Sequence, residues 1–94
     1  MDLSAQSLRF DKDTITVPAG AMVTIRFDNK ESVPHNFALY ETPAAENDIF
    51  VGEVISGPRV IEYRFQAPET PGTYFFRCDV HPVTMVGDFV VTAP

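Results

Sequence analysis

Thr73-Tyr74-Phe75-Phe76-Arg77-Cys78, running on into Asp79-Val80-His81-Pro82-Val83-Thr84-Met85-Val86-Gly87, decides the architecture. Successive side chains of an extended chain point to opposite faces, so Tyr74, Phe76 and Cys78 share one face and Thr73, Phe75 and Arg77 the other. The first face is apolar throughout and reads as the buried side of a strand, with Cys78 at its inward end. Arg77 marks the second face as partly wet. The strand then gives way to a loop, and Gly87 serves the backbone where the loop rejoins a strand.

Working outward, the same short apolar alternation recurs at residues 7–10, 14–17, 22–27, 37–40, 60–65 and 88–91. Eight prolines and five glycines interrupt every window that could sustain a helical period. Turn chemistry separates the strands: Pro18-Ala19-Gly20, Asp28-Asn29-Lys30, and the stretch from Pro68 to Gly72. The widest irregular stretch, residues 41–58, reads as an excursion between sheets with one short helical turn around residues 44–48. The expectation is an all-β chain of seven to eight strands, a sandwich or a barrel. Its 94 residues suffice for one core, so residues 1–94 are expected to form a single domain.

The formal net charge of -6 disfavours nucleic acid and anionic membrane surfaces and suits a basic partner. No run approaches the roughly 18 consecutive apolar residues of a membrane span, so no membrane insertion is expected. With apolar residues at 45% of the chain, disorder is excluded on composition. Residues 1–10 hold neither a basic leader nor an apolar run. The chain is therefore expected to be cytoplasmic, or to have had a leader or anchor removed.

A single cysteine closes no intrachain disulfide, so Cys78 requires another explanation. Taken singly, Cys78 reads as a small buried hydrophobe, His81 as a solvated loop histidine, Met85 as core filler and His35 as a core histidine. Together they form Cys-x-x-His-x-x-x-Met, with the only other histidine placed upstream at a strand start. One thiolate, two imidazoles and one thioether match a mononuclear copper site. The sulfur donors satisfy soft Cu(I), and imidazole suits both oxidation states. Zinc rarely takes a thioether, and magnesium or calcium would draw on the carboxylates. A Cys-His nucleophile pair would need a positioned base and an oxyanion hole, which a second histidine and a methionine do not supply.

Val33-Pro34-His35-Asn36-Phe37, Gly72 through Pro82 and Met85-Val86-Gly87 together resemble the plastocyanin, pseudoazurin and amicyanin branch of the cupredoxins. Residues 14–27 are similar to that family's early strands as well. The resemblance implies a Greek-key β-sandwich and a type 1 copper protein that carries one electron between larger redox partners, with no enzymatic reaction of its own. It carries over His35, Cys78, His81 and Met85 as copper ligands. Asn36 carries over as the residue that hydrogen-bonds across to tie the two ligand loops. Pro34, Pro82 and Val83 become an apolar docking collar around the imidazole edge of His81.

The implied partners are a c-type cytochrome or a membrane redox complex, met by a monomer in the periplasm or another extracytoplasmic space. Glu41, Glu46, Asp48 and Glu53 would steer a basic partner. The sequence departs from these relatives in two places. The His81–Met85 spacing lies between the longer one of plastocyanins and the shorter one of amicyanin. Arg77 also stands where plant plastocyanins place a tyrosine, which favours an electron route through His81. Two further readings remain open: a module that stores, senses or delivers copper, and an excised electron-input domain of a larger copper enzyme.

Overall fold

β-Branched and aromatic residues at alternate positions drive the longest strands. In Met22–Asn29, Val23, Ile25, Phe27 and Asn29 are buried while Met22 and Arg26 are exposed. In Arg59–Gln66, Tyr63 and Phe65 are buried between exposed Glu62, Arg64 and Gln66. The two strands pair antiparallel with Val23 opposite Phe65 and Ile25 opposite Tyr63, so both present their apolar sides to one core.

A computed structural model describes residues 1–94 and contains nine strands. They are β1 (Asp2–Gln6), β2 (Arg9–Phe10), β3 (Thr14–Pro18), β4 (Met22–Asn29), β5 (Ala38–Tyr40), β6 (Asp48–Val51), β7 (Arg59–Gln66), β8 (Gly72–Arg77) and β9 (Val86–Thr92). One sheet has the order β2-β1-β4-β7 and the other β3-β9-β8-β5-β6. The pairs β1–β4 and β3–β9 run parallel, and the remaining neighbours antiparallel. Leu3, Ile25, Phe27 and Tyr63 of the first sheet meet Leu39, Phe76, Phe89 and Val91 of the second in a shared core. No helix is long and apolar enough to cross a membrane.

The nine strands exceed the expected seven to eight because two were hidden in the sequence. β1 buries only Leu3 and Ala5, and its Ser, Ala and Gln carry little β signal. The strand expected at 7–10 begins only at Arg9, because Ser7 and Leu8 form the hairpin turn with φ of 56° and 57°. The helical turn expected around residues 44–48 is absent. Ala45 N–H bonds the Thr42 carbonyl at 3.0 Å in a tight turn, and Asp48 already opens β6. Phe50 explains this, since it sits opposite Leu39 of β5 and stacks on Phe65 with centroids 4.7 Å apart. That packing outweighs the weak local preference of Glu46-Asn47-Asp48.

β8 has the expected two faces: Phe76 and Cys78 are fully buried and Tyr74 half-buried, with Thr73 exposed and Arg77 half-buried on the other side. Gly87 has a steric purpose beyond rejoining the strand. It lies in β9 opposite Phe76, and a β-carbon there would collide with the Phe76 ring and stand 2.6 Å from the Asp13 carbonyl oxygen. Gly87→Ala is expected to destabilise the apoprotein by about 1–3 kcal/mol, the usual cost of overpacking, read as a lower midpoint in urea unfolding. An unchanged midpoint would show that Phe76 has room to move.

Candidate metal centre

The segment between β4 and β5 brings His35 to one end of the sandwich. Asn29 closes β4 on the inward side, and its buried amide donates to the carbonyls of Val33 and Ile55 at 2.9 Å each, while its oxygen accepts Glu31 N–H at 3.1 Å. This amide replaces the ladder bonds that an irregular segment cannot make. His35 is then pinned to Ile55 by two backbone bonds of 3.0 and 2.9 Å. Its ring is wholly buried, with Nε2 2.6 Å from Glu31 Oε2.

The stretch after β8 supplies the other side. Cys78 N–H donates to the Met85 carbonyl at 2.9 Å, His81 N–H to Cys78 at 3.1 Å and Met85 N–H to His81 at 3.1 Å. These bonds wind Cys78 through Met85 into a tight loop, with Cys78 and Met85 buried and His81 half-buried. Cys78 Sγ lies 3.7 Å from His35 Nδ1 and 3.8 Å from His81 Nδ1, and the two imidazoles face each other with centroids 4.9 Å apart. The three donor atoms all lie within 4.8 Å of one another.

Asn36 spans the two segments. Its side-chain oxygen accepts Asp79 N–H at 2.8 Å, its amide donates to the Gly52 carbonyl at 3.0 Å and to Asp79 Oδ2 at 3.3 Å, and its backbone N–H points at Cys78 Sγ at 3.5 Å. Asp79 is held in turn by Tyr40 O–H at 2.6 Å and Arg77 Nε at 2.9 Å, with the Arg77 guanidinium over the Tyr40 ring. Burial alone would raise the Asp79 carboxyl, yet the bonds from Tyr40, Arg77 and Asn36 hold it below the usual carboxylate range. For Glu31 the bond from His35, then those from Leu8 and Ser7, act in the same direction. Pro34, Pro82 and Val83 are exposed, Val83 at 85%, as are Glu41, Glu46, Asp48 and Glu53.

The donor set fits a single transition-metal ion. Bonds of about 2.0 Å to imidazole and 2.3 Å to thiolate, at roughly 110–120°, put nitrogen and sulfur roughly 3.5–3.7 Å apart, close to the 3.7 and 3.8 Å between Cys78 Sγ and the two Nδ1 atoms. A thiolate with two imidazoles and a buried thioether selects copper over zinc. The family model of the cupredoxin-like domain matches residues 1–91. The chain belongs to this family.

Cupredoxin architecture is equally clear in three dimensions. Auracyanin A, a blue copper protein from the green thermophilic photosynthetic bacterium Chloroflexus aurantiacus, shares 31% identity over 98% of this chain and 97% of its own, with a TM-score of 0.85. Reduced auracyanin from Roseiflexus castenholzii superposes with a TM-score of 0.85 at 24% identity, covering 97% of this chain and 94% of that one. Amicyanin from Paracoccus versutus superposes at 0.67 with 24% identity, over 97% and 79% of the two chains. At these lower identities the likeness is one of fold. No curated protein sequence matches the chain.

Asn29, Glu31, Tyr40 and Asp79 are the residues around this cupredoxin centre that the sequence reading missed. Asn29 did leave a signal, as a polar residue at an inward position of the Val23, Ile25, Phe27 series. Glu31, Tyr40 and Asp79 left none: the nearby pairs Glu31–His35 and Arg77–Asp79 fall in irregular stretches where sequence spacing sets no facing rule, and the other partners lie in distant segments.

Proposed function

We propose that this cupredoxin is a one-electron carrier that holds a single type 1 copper ion with His35, Cys78, His81 and Met85. The observation that carries the reading is the convergence of Cys78 Sγ and two imidazole Nδ1 atoms within 4.8 Å, in a wall where Cys78 and His35 are fully buried. Copper bound there supplies one-electron chemistry by alternating between Cu(I) and Cu(II). The chain's part is to keep the donors still. His35 is tied to Ile55, Cys78 to Met85, and Asn36 bridges the two sides. Donors fixed before the metal arrives need little rearrangement between oxidation states, and low reorganisation is what electron transfer requires.

His81 is the donor nearest to solvent and serves as the electron port. Pro34, Pro82 and Val83 give a partner an apolar surface to dry on docking, and the exposed acids steer a basic one such as a c-type cytochrome or a membrane redox complex. Both histidines of the chain are spent on this centre, which leaves no imidazole for the second copper of an oxidase. We therefore assign no substrate chemistry to the chain. The likeness to blue copper proteins supports a carrier that works in the periplasm or another extracytoplasmic space, and we take it to act as a monomer.

Copper titration of the apoprotein is the test. An intense thiolate-to-Cu(II) band should saturate at one equivalent and bleach reversibly with ascorbate. Weak absorption, or copper held only as Cu(I) and passed readily to an acceptor protein, would replace electron carriage with copper handling.

A further inference from the structure

One carboxylate joins two features that the fold otherwise keeps apart. The β1–β2 hairpin turns at Ser7-Leu8, where both residues take left-handed backbone conformations, φ 56° and 57°. Such a turn favours Asn-Gly, since residues with a β-carbon are strained there. Glu31 lies directly over it: Oε1 accepts Ser7 N–H at 3.0 Å and Oε2 accepts Leu8 N–H at 3.1 Å. The same Oε2 is 2.6 Å from Nε2 of the buried His35. A carboxylate acceptor that close favours a proton on Nε2, and in the neutral ring this tautomer turns the Nδ1 lone pair to the side facing Cys78 and His81.

We propose that Glu31 is a positioning residue of the copper centre, a clasp between the Ser7-Leu8 turn and His35 that fixes the ring's tautomer and orientation and biases bound copper towards Cu(II). The inference rests on the reading of His35 as a ligand. A negative charge on the far side of the imidazole makes Nδ1 a stronger donor and favours the more highly charged ion, so the carboxylate lowers the reduction potential. The strained turn has a reason in this arrangement. Its two N–H groups point the same way and hold the carboxylate on His35, a placement the irregular 30–34 segment could not secure alone.

Three measurements test it. In the apoprotein, nitrogen NMR of His35 should show the Nε2–H tautomer, and an Nδ1–H tautomer would overturn the proposal without any variant. In the loaded protein, Glu31→Gln keeps the shape and removes the charge. Cu(II) affinity should fall about 10–100-fold, with the potential rising by about 59 mV for each tenfold loss of Cu(II) over Cu(I) affinity.

Leu8→Gly separates this from a merely structural role, because it relaxes the turn and leaves the carboxylate in place. Added to Glu31→Gln, it should restore the melting temperature and leave the potential raised. A potential that stays at the wild-type value in Glu31→Gln, or returns to it with Leu8→Gly, overturns the proposal. If the wild type itself takes up no copper, the reading of the centre fails and the proposal falls with it; if the wild type loads and Glu31→Gln matches it, only the proposal falls.

Discussion

Cys78→Ser is expected to abolish the intense visible absorption of the copper-loaded protein while the sandwich stays folded. The colour of such a centre comes from charge transfer between thiolate and Cu(II), and the chain has one cysteine to supply it. Serine offers a harder oxygen that remains protonated at neutral pH and gives no comparable band. The fold should survive, because the Cys78 backbone N–H still bonds Met85 at 2.9 Å and a serine oxygen can still accept from Asn36 N–H. Absorption spectra at one equivalent of copper, with circular dichroism as the control for folding, check both halves. Retained colour would remove Cys78 from the centre.

Legibility in the sequence tracked the range of the interactions concerned. The alternation in β8, β4 and β7 is local, and in β8 it alone puts Phe76 and Cys78 on the inward face, where both are fully buried. The loop Cys78 to Met85 is local too, and its residue types named the metal. β6 was not legible because Phe50 is decided by its stack on Phe65, a contact that no local window contains. The surroundings of the donors were hidden for the same reason. Glu31 reaches Ser7 and Leu8 across a sequence separation of 24 and 23 residues, and Asp79 meets Asn36 across 43. Neither pairing has a spacing rule comparable to the helical i, i+4 relation. Gly87 was legible as a special position and illegible in its reason, since the Phe76 ring that fills its place comes from the neighbouring strand.

Phe37→Ala should separate the stability of the sandwich from that of the metal centre. Phe37 is fully buried and packs against Phe76 at 5.4 Å, Phe65 at 5.9 Å, Tyr63 and Phe50 at 6.4 Å and Phe89 at 6.5 Å between centroids, which places it at the junction of both sheets. Truncating such a side chain costs about 3–5 kcal/mol, a large share of the roughly 5–15 kcal/mol that hold a small domain together. The backbone of Phe37 keeps its place, because its carbonyl accepts Gly52 N–H at 2.9 Å whatever the side chain. His35 and Asn36, just before it, are fixed by Ile55, Glu31, Gly52 and Asp79 and make no use of the ring. The apo variant should therefore unfold at much lower urea and still bind one copper with an unaltered spectrum. Because copper binds the folded state, free metal at 100 times its dissociation constant returns about 2.7 kcal/mol, so the loaded variant should recover most of the lost midpoint. If copper binding weakens in proportion to the lost stability even where the apoprotein is fully folded, the ring at position 37 is a support of the metal centre itself, and the two halves of the molecule are coupled through it.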